Sequence, residues 1–126
     1  MSSFAKHPTL LAVAVAHGLL GLGHTTKGLE QFSHPSIDKL PVTLRGAVKA
    51  GWYEGSVFFL IAGLLNYKWS QSALALASGP DKAIAALLTA LLFGAGANYY
   101  RTGDKPTGVL LAIVGALQGW GAKGAL

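Results

Sequence analysis

Apolar residues in this chain come in long uninterrupted runs. Positions 8–26, 83–100 and 106–122 hold no Asp, Glu, Lys or Arg, and positions 50–67 hold only Glu54. Each run approaches the ~20 residues a helix needs to cross a ~30 Å hydrocarbon core at 1.5 Å per residue. Pro8, Pro41, Pro80 and Pro106 stand where the runs open. A proline suits the first helical turn, because the N–H it lacks would have no partner there. His34-Pro35-Ser36 ends the first run, since the residue before a proline avoids helical backbone. The pattern predicts an all-α fold, a four-transmembrane-helix bundle with both termini on the same side. Its approximate spans are 8–32, 42–69, 80–101 and 106–122. A soluble four-helix bundle would need charges on its exposed faces, and these runs do not supply them.

Composition agrees. Mean hydropathy is +0.45 and charged residues make up 12%, about half of what a soluble domain carries. The 126 residues fit one integral membrane domain, 1–126, with the lipid bilayer as its first partner. With no cysteine, disulfides, thiolate metal sites and thiol nucleophiles are excluded. The net charge of +5 is scattered over ends and links, which suits membrane-flanking cations and no nucleic acid. Lys6 followed by an apolar run has the look of a signal peptide. The run's length, its histidines and its continuation into Lys27–Glu30 without a cleavage site favour a retained first helix. Tyr67-Lys68-Trp69 reads as an interfacial anchor, and the ALALA segment after it as too short to span.

Four spans put Lys6, Lys68, Lys82 and Lys123 on the side of the termini. Lys27, Lys39, Arg45, Lys49, Arg101 and Lys105 fall on the other, offset by Glu30, Asp38 and Asp104. The positive-inside rule favours the second side as cytoplasmic, by six cations against four. Which cellular membrane is involved is not legible. In lipid, small residues mark where helices meet. The candidates are Gly18, Gly21, Thr25 and Gly28; Gly51 and Gly55; Gly94 and Ala97; and Gly108, Ala112, Gly115 and Gly119. One such stripe can also serve a homodimer or a larger membrane complex.

The chemistry-bearing stretch is His17–Gly28, HGLLGLGHTTKG. On a 3.6-residue helix His17, Gly21, His24, Gly28 and Gln31 share one narrow face, with Lys27 at its edge. Glu54 lies near the middle of the second helix, Gln118 at similar depth on the fourth, and Asn98 shallower on the third. An ionisable residue inside a membrane is a functional-site hypothesis by default. The placement predicts a polar pocket with His24 and Glu54 as a catalytic acid/base pair. His17, Asn98 and Gln118 would bind substrate with them, and Lys27, Arg45 and Lys49 would stand at the mouth. The structural alternative has Glu54 paired with His24 or Lys49 to lock the bundle, and the other polar residues acting as interhelical glue. Trp52, Tyr53, Phe58 and Phe59 read as packing.

Sharper motifs fail. Gly23–Gly28 has phosphate-loop spacing but no following Lys-Ser/Thr. His17 and His24 are two turns apart, about 10.5 Å in rise, too far to share one small metal ion. A bis-histidine haem would need histidines on facing helices. No metal and no cofactor is expected.

At GHTTKGLEQFSHP, followed by GWYEGSVFFLIAGLL, the chain resembles DoxX-like four-span membrane proteins and small fungal-type integral membrane proteins. In the former, a first helix ending in a polar, histidine-containing segment precedes a second helix with a mid-membrane Glu after a Gly. The likeness covers roughly residues 10–65. It implies a four-helix membrane domain and transfers no catalytic residue; His17 and the Arg45/Lys49 edge have no match in that pattern. Two functions follow as expectations. One is a small membrane enzyme, of isomerase or cyclase type, acting by acid/base chemistry on a lipophilic small molecule in biosynthesis. The other is a non-enzymatic subunit, chaperone or assembly factor of a membrane complex. A proton-coupled carrier is a weaker third.

Overall fold

The computed structural model describes residues 7–124, and of Ala73 and Ala75 the backbone only. Lys6, counted above among the cations beside the termini, lies outside the described residues. Four helices form where the prolines open them: α1 Pro8–Gln31, α2 Val42–Gln71, α3 Gly79–Arg101 and α4 Lys105–Gly124. Short 3₁₀ turns, Pro35–Lys39 and Ala73–Ala77, fill the first two links. α1, α2 and α3 are long and apolar enough to cross a membrane. α4 is not in that group.

Local chemistry sets the boundaries. His34 Nδ1 accepts the Ser36 N–H at 3.1 Å and so caps the first 3₁₀ turn. Ser78 Oγ accepts the Asp81 N–H at the start of α3 and donates back to the Asp81 carboxylate. This satisfies a donor that the first turn would otherwise leave bare. Between α3 and α4 the chain reverses through Gly103 at φ 107°, a conformation that costs a glycine nothing. Asp104 Oδ1 then accepts the Thr107 N–H at 3.3 Å to open α4.

The chain divides into two compact units. The first, residues 15–63, pairs most of α1 with the first two thirds of α2. The pairing is antiparallel, as successive contacts show: a Cβ built on Gly21 would meet Leu60, one on Gly55 would meet His24, and one on Gly28 would meet Trp52. The second unit takes the described parts of Met1–Ala14 and Leu64–Leu126. There α3 and α4 form an antiparallel hairpin whose backbones touch. A Cβ on Gly108 would stand 2.7 Å from the Gly96 carbonyl oxygen, and one on Gly96 would stand 2.9 Å from that of Gly108. Further along, Gly115 seats Leu92 and Gly119 seats Thr89. The beginning of α1 joins this unit through the His7 N–H, which donates to the Ser70 carbonyl at 3.2 Å, and through Leu10, 3.1 Å from a Cβ on Gly121.

Two readings of the second unit change. Trp69 is no interfacial anchor: it is fully buried, and its indole N–H donates to Asp81 Oδ1 at 2.9 Å. Tyr67 and Lys68 do stay outside. The α3 stripe of Gly94 and Ala97 is also misplaced. Both are exposed, nothing lies within 4 Å of a Cβ on Gly94, and Gly96 between them makes the contact.

Polar and apolar residues are distributed inside out. His17, Asn66, Ser70 and Gln118 have 0% exposure, whereas Leu19, Leu22 and Leu64 are 64–70% exposed. A water-soluble chain rarely leaves so many large apolar side chains outside while it buries amides and an imidazole. Hydrocarbon as the solvent explains both at once. Leucines cost nothing there, and polar groups must find partners within the protein.

Candidate functional site

His24 is the centre of the first unit. Its imidazole Nε2 lies 2.8 Å from the Trp52 carbonyl oxygen. A carbonyl can only accept, so Nε2 carries a hydrogen, and in the neutral ring Nδ1 keeps the lone pair. The ring stacks on the Trp52 indole, centroids 4.0 Å apart and planes 7° apart. In return the Trp52 Nε1–H donates to the His24 carbonyl at 2.7 Å. Each ring therefore lies on the other helix and bonds to the backbone of the residue that carries the other ring.

Two glycines make this possible. A Cβ on Gly55 would stand 2.9 Å from His24 Nε2, and one on Gly28 would stand 2.6 Å from Trp52 Cδ1. His24-x-x-x-Gly28 on α1 and Trp52-x-x-Gly55 on α2 thus form a reciprocal clasp, with one ring and one seat on each helix. Around it, Phe59 meets His24 edge-on at 5.4 Å, and Phe32 meets Trp52 at 6.0 Å. Next to His24 on α1, the Thr25 hydroxyl donates to the Gly21 carbonyl at 2.8 Å and lies 2.9 Å from Ser56 Oγ.

The structure does not bring the other expected residues to His24. Glu54 is exposed, and among the described residues it makes no hydrogen bond or ion pair. The expected His24–Glu54 pair does not form, because Trp52 and Gly55 occupy the inward face of α2 and Glu54 lies on another. His17 is fully buried, with its ring 6.3 Å from Phe59. The Phe59 ring thus neighbours both histidines. Lys27 is half-buried. Arg45 pairs with Asp38 at 3.3 Å, an exposed contact of small energetic weight. Lys49 stands over the Phe32 ring at 5.8 Å. These cations lie about the α1–α2 link.

The remaining two residues belong to the second unit. Gln118 is fully buried and exchanges two amide hydrogen bonds with Asn66, at 2.8 and 2.9 Å. The cyclic pair engages one donor and one acceptor on each side. Asn98 is exposed and accepts from Arg101 at 3.4 Å.

A cleft of about 400 Å³ opens at the C-terminal end of α1, lined by Glu30, Gln31, His34, Ser36 and Ile37. None of the expected site residues lines it. Among the described residues, no group of three or more His, Asp or Glu gathers closely enough to hold a metal ion. Sequence reasoning missed Asn66 and the use of Trp52. Asn66 was visible as an amide in an otherwise apolar stretch of α2. Trp52 shares a helix face with Gly55, a spacing that seats a ring beside a gap. No family model matches the chain, and no curated protein or solved structure matches it. The site accordingly stands on its geometry alone.

Proposed function

We propose that this chain is a small multi-pass membrane protein acting as a non-catalytic helical module, a subunit or assembly partner of a larger membrane complex. The observation that carries this reading is the clasp. His24, the residue best suited to acid/base chemistry, is bonded and stacked to Trp52 on a facing helix, and Glu54 is turned away from it. Two further polar contacts follow the same use, with Asn66 joined to Gln118 and Trp69 to Asp81. In hydrocarbon such bonds are what hold helices together. The module has four spans, with both termini on one side of the membrane. The contact of Leu10 with Gly121 supports that topology, since it sets the beginning of α1 beside the end of α4. The side bearing the α1–α2 and α3–α4 links is cytoplasmic by its excess of cations. A DoxX-like relationship is compatible with the reading and assigns it no chemistry.

A second reading, an acid/base enzyme for a lipophilic small molecule, draws on one observation. The bond from Nε2 to Trp52 leaves Nδ1 of a half-buried imidazole with its lone pair. Native mass spectrometry of the chain purified from its own membranes separates the two. A defined polypeptide bound at fixed stoichiometry supports the module. A stoichiometric small molecule that is lost in His24→Ala supports the enzyme and overturns the module.

A further inference from the structure

We propose that the outward face of α2 around Glu54 is a docking site for a membrane-spanning helix of another protein, one that carries an Arg or Lys at the depth of Glu54. The proposal rests on the module reading above and names the chemistry of its partner.

Four observations converge on this face. Ala47, Gly51 and Glu54 are exposed at i, i+4 and i+7 of α2, and so share one side. Val57 and Ile61, 55% and 52% exposed, extend it with apolar surface. Gly51 is open, with nothing within 4 Å of a built Cβ, unlike Gly55, which seats His24. Glu54 makes no hydrogen bond or ion pair among the described residues, and it is the one charge in positions 50–67. It lies five residues beyond Lys49, about 7 Å further along the helix axis.

A bare carboxylate within a spanning segment is costly. Two residues on its own side, Ala47 and Gly51, are small enough to let another helix backbone come close. What approaches must also neutralise the charge, and Arg does so best, through two parallel N–H bonds to one carboxylate. The nearby cations of this chain are otherwise placed, Lys49 over Phe32 and Arg45 on Asp38. A second copy fits poorly. Inserted in the same orientation about a two-fold axis, it sets Glu54 against Glu54 and repeats the like charge. A basic helix of a different chain satisfies both the small residues and the carboxylate.

The test uses the full chain, fluorescently labelled, in phosphatidylcholine vesicles. The probe is a synthetic Leu/Ala spanning peptide with a single Arg at the matching depth. Control peptides carry Leu or Glu there, and association is read by energy transfer. The expected result is that the Arg peptide binds at least roughly tenfold more tightly than the Leu peptide, as loss of a desolvated charge partner implies. Glu54→Leu should erase that preference, and Gly51→Leu should weaken the Arg peptide while leaving Glu54 in place. The exchange Glu54→Arg should transfer the preference to the Glu peptide. Circular dichroism checks that each variant keeps its helix content. Equal binding of the Arg and Leu peptides, or an unchanged preference in Glu54→Leu, overturns the proposal. So does self-association of the chain that depends on Glu54, which would make the occupant a second copy. A substrate-like molecule in the native mass spectrum would instead overturn the module reading and leave the peptide result standing.

Discussion

Gly51 and Gly55 offer a controlled pair of substitutions on one helix. Changing either to Ala adds the same methyl group and removes the same backbone freedom, worth up to about 1 kcal/mol in favour of Ala within a helix. Only the surroundings differ. The new Cβ at Gly51 meets nothing within 4 Å, whereas at Gly55 it lies 2.9 Å from His24 Nε2. The imidazole must retreat by about 0.6–1.1 Å to reach ordinary contact, since rings and methyl groups settle at about 3.5–4.0 Å. That displacement breaks the 2.8 Å bond to the Trp52 carbonyl, a loss of about 1 kcal/mol. It also disturbs a ring stack with centroids 4.0 Å apart, worth about 0.5–1.5 kcal/mol. Gly55→Ala should therefore unfold about 2 kcal/mol more easily than Gly51→Ala, and Gly51→Ala should equal or exceed the wild type. The assay is unfolding of the purified chain in mixed micelles by added dodecyl sulfate, followed by circular dichroism. A double-mutant cycle completes it: in a His24→Ala background the two glycine substitutions should have the same effect. Equal stability of the two single variants, or a difference that survives the loss of His24, would refute the clasp.

The same assay reaches the second unit. Gly108→Ala should destabilise by about 1–3 kcal/mol, because its Cβ would meet the Gly96 carbonyl and the Tyr100 backbone, which cannot yield as a side chain does. Gly94→Ala on the open face of α3 should cost nothing. Asn66→Leu and Gln118→Leu should each cost about 1–3 kcal/mol by leaving the other amide without its cyclic partner, while the double substitution recovers most of that loss. If the double variant is as weak as the sum of the singles, the amide pair is not what the two residues contribute.

Much of the architecture was legible. Charge-free runs and four prolines locate all four helices to within a few residues, because hydrocarbon leaves little choice of where charges go and proline little choice of where a helix opens. The polar face of α1 was legible too, since His17, His24 and the glycines between and after them recur at helical spacing. What periodicity cannot supply is the neighbour across the gap. Gly51 and Gly55 sit one turn apart and read as a single stripe, yet only Gly55 touches α1. Gly96 escaped notice beside Gly94 and Ala97, because all three are small and only packing tells them apart. Glu54 reads as a pocket residue from its depth in the second helix and from its being ionisable within a span, yet it is exposed.

His24 itself carries the central claim, that the polar groups of these spans join helices instead of performing chemistry. Nitrogen-15 NMR of the histidine-labelled chain in bilayers reads its tautomer and its hydrogen bond directly. The account predicts a neutral His24 ring with the hydrogen on Nε2, and a bond to Trp52 that Gly55→Ala weakens. A ring with its hydrogen on Nδ1, or one bonded to Glu54 instead of Trp52, would contradict it.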